Sequence, residues 1–145
     1  MSVGSVGHST SEILYAGGAG ADTATYSGVP ATGPTGSTGV HVSLDSAGND
    51  GRDAEGARPA DKDNIQVENI IGSSFGDTLS GDGGINQITA GRGRDTVSAG
   101  GGADLVDVRD DTQESRVSCG DGTDVAVADR FDPVNVDCET VQRPA

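Results

Sequence analysis

The chain has 145 residues with 24 glycines, no tryptophan, 3% aromatic and 32% hydrophobic residues, so it suits a single domain but cannot fill a thick globular core. Its formal net charge of −14 disfavours nucleic acids and anionic membranes as partners and favours cations. No stretch approaches the roughly 18 apolar residues that membrane insertion requires, and residues 1–10 lack the basic and apolar regions of a secretory signal.

The N-terminal part contains one clear nine-residue unit. GGAGADTAT at 17–25 has glycines at places one, two and four and Asp22 at place six. Residues 7–15 look like a decayed unit with Leu14 in the apolar place, although the spacing to Asp22 is one residue off. Residues 26–39 are rich in turn formers and have no apolar period, which indicates a connector.

An acidic insertion at 45–63 separates two short segments, 40–44 and 65–67, in which apolar residues alternate as in strands. An EF-hand is excluded, because Ala47 occupies the third ligand place and Asp50 stands where glycine is required. Two interpretations stay open, a solvated charged loop and an irregular calcium site. The candidate ligands of that site are Asp45, Asp50, Asp53, Asp61 and Asp63.

Four nine-residue units abut without a gap over 72–107, namely GSSFGDTLS, GDGGINQIT, AGRGRDTVS and AGGGADLVD. Place eight is always aliphatic and place six is always Asp or Asn. The residues at place eight are Leu79, Ile88, Val97 and Val106, and those at place six are Asp77, Asn86, Asp95 and Asp104. No helical period occurs in the chain, so the pattern predicts an all-β fold.

The nine-residue unit predicts a glycine turn followed by a three-residue strand whose middle side chain faces inward. Two units would close one coil of 18 residues, so that Asp77 stacks over Asp95, and Asn86 over Asp104, at about 4.8 Å. Carboxylates about 5 Å apart repel by roughly 1 kcal/mol in water and by about 3 kcal/mol at an effective dielectric constant of 20. Ca²⁺, with oxygen ligands at about 2.3 to 2.6 Å, would bridge such rungs better than the smaller Mg²⁺.

Turn carbonyls would complete the calcium shell. The expected carbonyl donors are Gly81, Gly83, Gly91, Gly93, Gly100 and Gly102. Phe75 at a glycine place, Asn86 at an acidic place and the two arginines Arg92 and Arg94 predict incomplete occupancy of the ion row. The alternative is a repeat whose aspartates only make hydrogen bonds within turns.

After an interruption, CGDGTDVAV at 119–127 repeats the pattern with Asp124 at place six, and residues 128–145 lack it, as a C-terminal cap would. Cys119 and Cys138 predict a disulfide; two free thiols or, with less support, a metal-binding pair are the alternatives. A disulfide would indicate an oxidising compartment. With no signal in residues 1–10, we would then expect the chain to be part of a longer secreted protein.

The unit G-G-x-G-x-D-x-U-x, with U a large aliphatic residue, resembles the calcium-binding nonapeptide of the repeats-in-toxin (RTX) family. The resemblance implies a right-handed parallel β-roll or β-solenoid, here one domain over 1–145 with several Ca²⁺ ions along its turns. We expect a secreted or cell-surface structural or adhesive module that folds on binding calcium and is not an enzyme. Alternatives are a filament subunit that stacks head to tail on itself and an accessory domain of a larger secreted hydrolase or toxin.

Overall fold

The computed structural model describes residues 2–3, 14–28, 39–52, 63–114 and 116–144, and these contain strands and turns but no helix. None of the described segments could therefore cross a membrane as a helix. The strands are β1 (Ser2–Val3), β2 (Leu14–Ala16), β3 (Thr23–Thr25), β4 (Val40–Ser43), β5 (Gly51–Arg52), β6 (Asn64–Gln66), β7 (Asn69–Ile71), β8 (Thr78–Ser80), β9 (Gln87–Thr89), β10 (Thr96–Gly102), β11 (Leu105–Asp107), β12 (Arg116–Gly122), β13 (Val125–Val127) and β14 (Thr140–Gln142).

From β7 onward the chain alternates between two parallel sheets. The first sheet has the order β1-β3-β7-β9-β11-β13-β14, the second has the order β12-β10-β8-β4-β5, and β2 pairs with β6 separately. Among these pairs only β4 with β5 is antiparallel. Val97 pairs with Leu79 and Val106 pairs with Ile88, so each strand returns to its sheet after 18 residues, as the repeat predicts.

The core consists of one inward side chain from the middle of each short strand. In the first sheet these side chains are Ala24, Ile70, Ile88, Val106 and Ala126, and in the second they are Val42, Leu79, Val97 and Val117. All are 0–1% exposed. Each large aliphatic side chain contributes about 1.5–3 kcal/mol by leaving water, so stability is spread evenly along the stack.

The prediction of three-residue strands is right for β8, β9 and β11 but wrong for β10 and β12, which have seven residues each. The longer strands arise because two successive glycine turns lie in register, with Gly100 opposite Gly120 and Gly102 opposite Gly122. The ladder of strand pairs therefore continues around the corner between the two sheets.

The N-terminal elements show two differences from the sequence expectations. The middle of β2 is Tyr15, which pairs with Ile65 and packs against the core, so Tyr15 rather than Leu14 takes the core-facing place of that strand. Tyr15 lies nine residues before Ala24, which restores the spacing that Leu14 lacked. The acidic insertion is not a plain loop, since β5 turns back against β4; residues 53–62 lie outside the described ranges.

Residues 128–144 extend both sheets at the C-terminal end. Val134 forms a bridge with Val117, and β14 adds to the free side of β13. Cys119 and Cys138 form a disulfide with 5.1 Å between their Cα atoms, as predicted. The tail thus lies over the last rung and is covalently tied to it.

Candidate metal centre

A ladder of acidic side chains runs along each of the two edges where the chain crosses between sheets. The first edge carries the turns that lead from the first sheet to the second, and the second edge carries the returning turns. On the second edge, the carboxylate of Asp104 accepts the backbone N–H of Asn86 at 2.9 Å, and that of Asp124 accepts the N–H of Asp104 at 2.8 Å. On the first edge, Asp95 accepts the N–H of Asp77 at 2.7 Å. The stacking predicted for these residues is therefore present.

Four residues continue these ladders where the sequence showed no repeat. Glu114 accepts the N–H of Asp95, Asp132 that of Glu114, Glu68 that of Asp22, and Glu139 that of Asp124. Glu68 lies 18 residues before Asn86 and could have been found by extending the 18-residue spacing backward. Glu114 and Glu139 lie 19 and 15 residues after their donors, so insertion and deletion hide them from any fixed period.

Several buried carboxylates use only one of their two oxygens. Asp95 Oδ2, Asp104 Oδ2, Asp124 Oδ2 and Glu114 Oε1 are buried and have no hydrogen-bond partner. A buried acceptor without a partner costs roughly 1–3 kcal/mol, and more when it is charged. Burial accordingly raises the pKa of Asp95 to about 7 and that of Glu114 to about 8, and it also raises the pKa of Asp104. These oxygens are suited to a cation.

The turns that lead into these aspartates have glycine in the left-handed region at places two and four. Gly100 has φ of 107° and Gly102 has φ of 125°, which glycine adopts without steric cost. A Cβ on Gly100 would overlap the carbonyl oxygen of Asp82, and one on Gly102 would overlap that of Gly84. Only glycine therefore fits, and carbonyl oxygens of the preceding turn lie directly against it. We call 90–95, 99–104 and 119–124 the open turns.

Residues 71–106 match the family model of the RTX calcium-binding nonapeptide repeat in four copies. They are RTX calcium-binding repeats. No curated protein and no solved structure matches the chain. The match covers most of the block predicted at 72–107 and leaves the units at 17–25 and 119–127 outside it.

The first two RTX repeats have a different turn, in which the place-six side chain bonds back to its own turn. Ser73 donates its N–H to Asp77 Oδ2 at 2.5 Å, and its hydroxyl donates to Oδ1 at 2.7 Å. Asn86 Oδ1 accepts the N–H of Asp82 at 2.9 Å, and its Nδ2 donates to the Glu68 carbonyl at 3.0 Å. We call 72–77 and 81–86 the closed turns.

The predicted carbonyl donors divide between these two turn types. Gly91, Gly93, Gly100 and Gly102 lie in open turns and have positive φ, whereas Gly81 and Gly83 lie in a closed turn and do not. The unit at 17–25 belongs with the open type by its backbone, because Gly18 and Gly20 have φ of 97° and 117° and lead to the buried Asp22.

The acidic insertion does not bring its predicted ligands together. Asp45 is exposed, and its pKa is lowered by the hydrogen bond it accepts from the Ala47 N–H at 2.9 Å. Both oxygens of the buried Asp50 accept backbone bonds, from Ser43 at 2.6 Å and Ile65 at 2.7 Å, so this carboxylate ties β4 to β6. Asp63 is buried and pairs with Asp50 through the backbone; Asp53 and Asp61 lie outside the described residues.

Within the described ranges, no group of three or more His, Cys, Asp or Glu side chains is arranged to hold a metal ion. Each open turn instead offers a carboxylate oxygen without a partner, beside stacked backbone carbonyls. Carboxylates and carbonyls are the ligands that Ca²⁺ takes, in flexible geometry and in shells of six to eight oxygens. The residues present therefore fit calcium, with carbonyls as the majority of the ligands.

Proposed function

We propose that the chain is a calcium-binding structural module, a right-handed parallel β-roll that completes its fold by binding several Ca²⁺ ions. RTX repeats bind calcium, and four of them occupy 71–106. The observation that carries the proposal is the set of buried carboxylate oxygens without partners at the ends of the open turns, Asp95, Asp104 and Asp124. A cation at each would replace an unfavourable buried charge with a ligand bond.

Calcium would be held by the place-six carboxylates together with carbonyls of stacked turns. The open-turn glycines allow adjacent turns to approach until the carbonyls of one lie against the α-carbons of the next. Mg²⁺ requires near-octahedral geometry at about 2.0–2.1 Å, which a row of stacked carbonyls suits less well. The net charge of −14 adds a general attraction for cations and a repulsion that opposes folding without them.

An extracellular role, structural or adhesive and not catalytic, is the one we favour. RTX repeat proteins are typically secreted, and the Cys119–Cys138 disulfide suits an oxidising compartment. Calcium is abundant outside cells, so folding coupled to its binding would delay folding until the chain has been exported.

Circular dichroism of the purified chain in excess chelator, and after addition of Ca²⁺ or Mg²⁺, tests the proposal. We expect little β-structure in chelator and recovery with Ca²⁺ but not with Mg²⁺ at equal concentration. Saturation to 100 times the dissociation constant adds about 2.7 kcal/mol for each independent site, so several sites account for such a switch. A native-like β spectrum in chelator, or equal recovery with Mg²⁺, would contradict it.

A second candidate function is self-assembly into filaments. It is favoured by β14, which pairs with β13 on one side only and whose three residues are all exposed. Such an edge strand can pair with a strand of another copy. Electron microscopy and light scattering with calcium and with chelator test this candidate, and monomers in both conditions would remove it.

A further inference from the structure

We propose that Glu114 and Asp95 together bind a divalent cation of the calcium type, so that the ion row of the first edge continues past the repeats into the interruption at 108–118. The proposal rests on the calcium binding proposed above and adds to it a site and a ligand outside the matched repeats. Nothing in the nine-residue pattern points to Glu114.

Glu114 occupies the rung directly after Asp95 on the first edge. Its Oε2 accepts the backbone N–H of Asp95 at 2.5 Å, which is the same contact that Asp95 makes with the N–H of Asp77. Its own N–H donates to Asp132 at 3.3 Å. Glu114 thus takes the structural place of the aspartate that the interruption lacks, and its longer side chain compensates for the extra backbone.

The two side chains leave unpartnered oxygens in the interior. Asp95 is 0% exposed and Glu114 is 1% exposed. Asp95 Oδ2 and Glu114 Oε1 are both buried without a hydrogen-bond partner. The basic residues of this turn, Arg92 and Arg94, are exposed at the surface. Two adjacent buried acids without partners for their second oxygens need a cation that reaches both of them.

The surrounding backbone is held in place by other bonds, so the site is built before an ion arrives. Asp110 accepts the N–H of Gly93 at 2.8 Å, which closes the interruption over the open turn 90–95. Asp129 in turn accepts the N–H groups of Asp110 and Asp111, at 2.8 and 2.7 Å. These bonds leave the second oxygens of Asp95 and Glu114 for a ligand.

Native mass spectrometry of the full chain in calcium, with Glu114→Gln and Glu139→Gln compared to the wild type, tests the site. Gln keeps the length and the acceptor of Glu but removes the charge. Glu139 is the matched control, because it accepts the N–H of Asp124 in the same way but is exposed in the tail. We expect Glu114→Gln to bind one ion fewer than the wild type and Glu139→Gln to bind the wild-type number.

Thermal melts provide a second readout that a purely structural Glu114 would not produce. In chelator, Glu114→Gln should melt no lower than the wild type, because a buried charge has been removed; in calcium it should melt lower. An unchanged ion count, or equal destabilisation in both conditions, would overturn the proposal. If Glu114→Gln does not fold, Glu114→Asp decides: folding in calcium with the wild-type ion count supports the site, and failure to fold overturns it. A wild-type chain that binds no calcium would refute the proposed function itself.

Discussion

The open and closed turns follow the same nine-residue period but treat their place-six side chain in opposite ways. In the closed turns, the N–H at place two, from Ser73 or Asp82, bonds to the side chain four residues later. In the open turns place two is a left-handed glycine, and it is the place-three N–H of Arg92 and of Gly101 that bonds to a carbonyl of the preceding turn. The aspartate of an open turn therefore keeps one oxygen without a partner.

The difference shows that the period and the glycines specify different things. The period sets the strand register and buries place six in both turn types. The residue at place two decides whether the turn satisfies its own carboxyl or amide group or leaves an oxygen for an ion. We therefore expect calcium dependence to concentrate at 90–127 and to be weaker at 63–89.

Removal of calcium should have the largest effect. On transfer from calcium into excess chelator, amides of the open turns at 90–127 should lose protection from hydrogen exchange before those of the closed turns at 72–89 do, because only the former are completed by ions. Time-resolved exchange with mass spectrometry measures the order. Simultaneous loss, or earlier loss at 72–89, would show that the two turn types do not differ in calcium dependence.

Acid should partly replace calcium. The folded pKa of Asp95, raised by burial to about 7 from 3.8, means that protonation favours the fold; this stabilisation is complete below 3.8 and is lost as the pH rises through about 7. Glu114 acts in the same direction through about 8. A pKa that differs by one between the folded and unfolded chain changes the free energy of unfolding by at most about 1.4 kcal/mol. The lowered pKa values of Asp107 and Asp137, caused by hydrogen bonds with Arg109 and Ser118, act only below 3.8.

In chelator, β-structure measured by circular dichroism should therefore increase from pH 8 to pH 5. In calcium the sign should reverse, since protons compete with the ion for the same oxygens. Constant or falling β-structure on acidification in chelator would contradict the assignment of unpartnered buried carboxyl groups to the open turns.

Reduction of the disulfide tests whether ions or the covalent bond hold the last open turn. The Cys119–Cys138 bond closes a loop of 19 residues, for which disulfides typically contribute about 3 kcal/mol. In calcium we expect reduction to increase hydrogen exchange at 128–144 while 72–107 stays protected. Equal loss along the chain would mean that the open turns depend on the tail and not on calcium.

Strand register, the place-eight core and the stacking of place-six side chains could all be predicted from the sequence, because a fixed spacing of 18 residues determines each of them. The ladder residues Glu114 and Glu139 could not, since the intervals leading to them are 19 and 15 residues. Asp129 lies outside the pattern and would have been expected to matter little. In the structure its carboxylate accepts two backbone N–H groups of the interruption.

Turn conformation was also beyond the sequence pattern. Gly83 and Gly102 looked equivalent as carbonyl donors, but they lie in turns of different type. A carbonyl direction depends on φ and ψ at several residues, and the pattern specifies only residue types. Asp50 is a similar case, because its bonds to Ser43 and Ile65 depend on β5 folding back against β4.

A pair of glycine substitutions gives the smallest effects and separates the two turn types most directly. Gly102→Ala would force a side chain into the left-handed region and against the Gly84 carbonyl, and strain of this kind costs about 1–3 kcal/mol. At Gly83, φ is not positive and a Cβ would meet no atom within 4 Å, so Gly83→Ala should leave stability unchanged or raise it by about 0.4–1 kcal/mol. Urea unfolding in saturating calcium measures both changes, and calcium titration of the same variants should show weaker binding only for Gly102→Ala. Equal losses for the two variants would mean that 81–86 also holds an ion through its glycine carbonyls, and the distinction between open and closed turns would then be wrong.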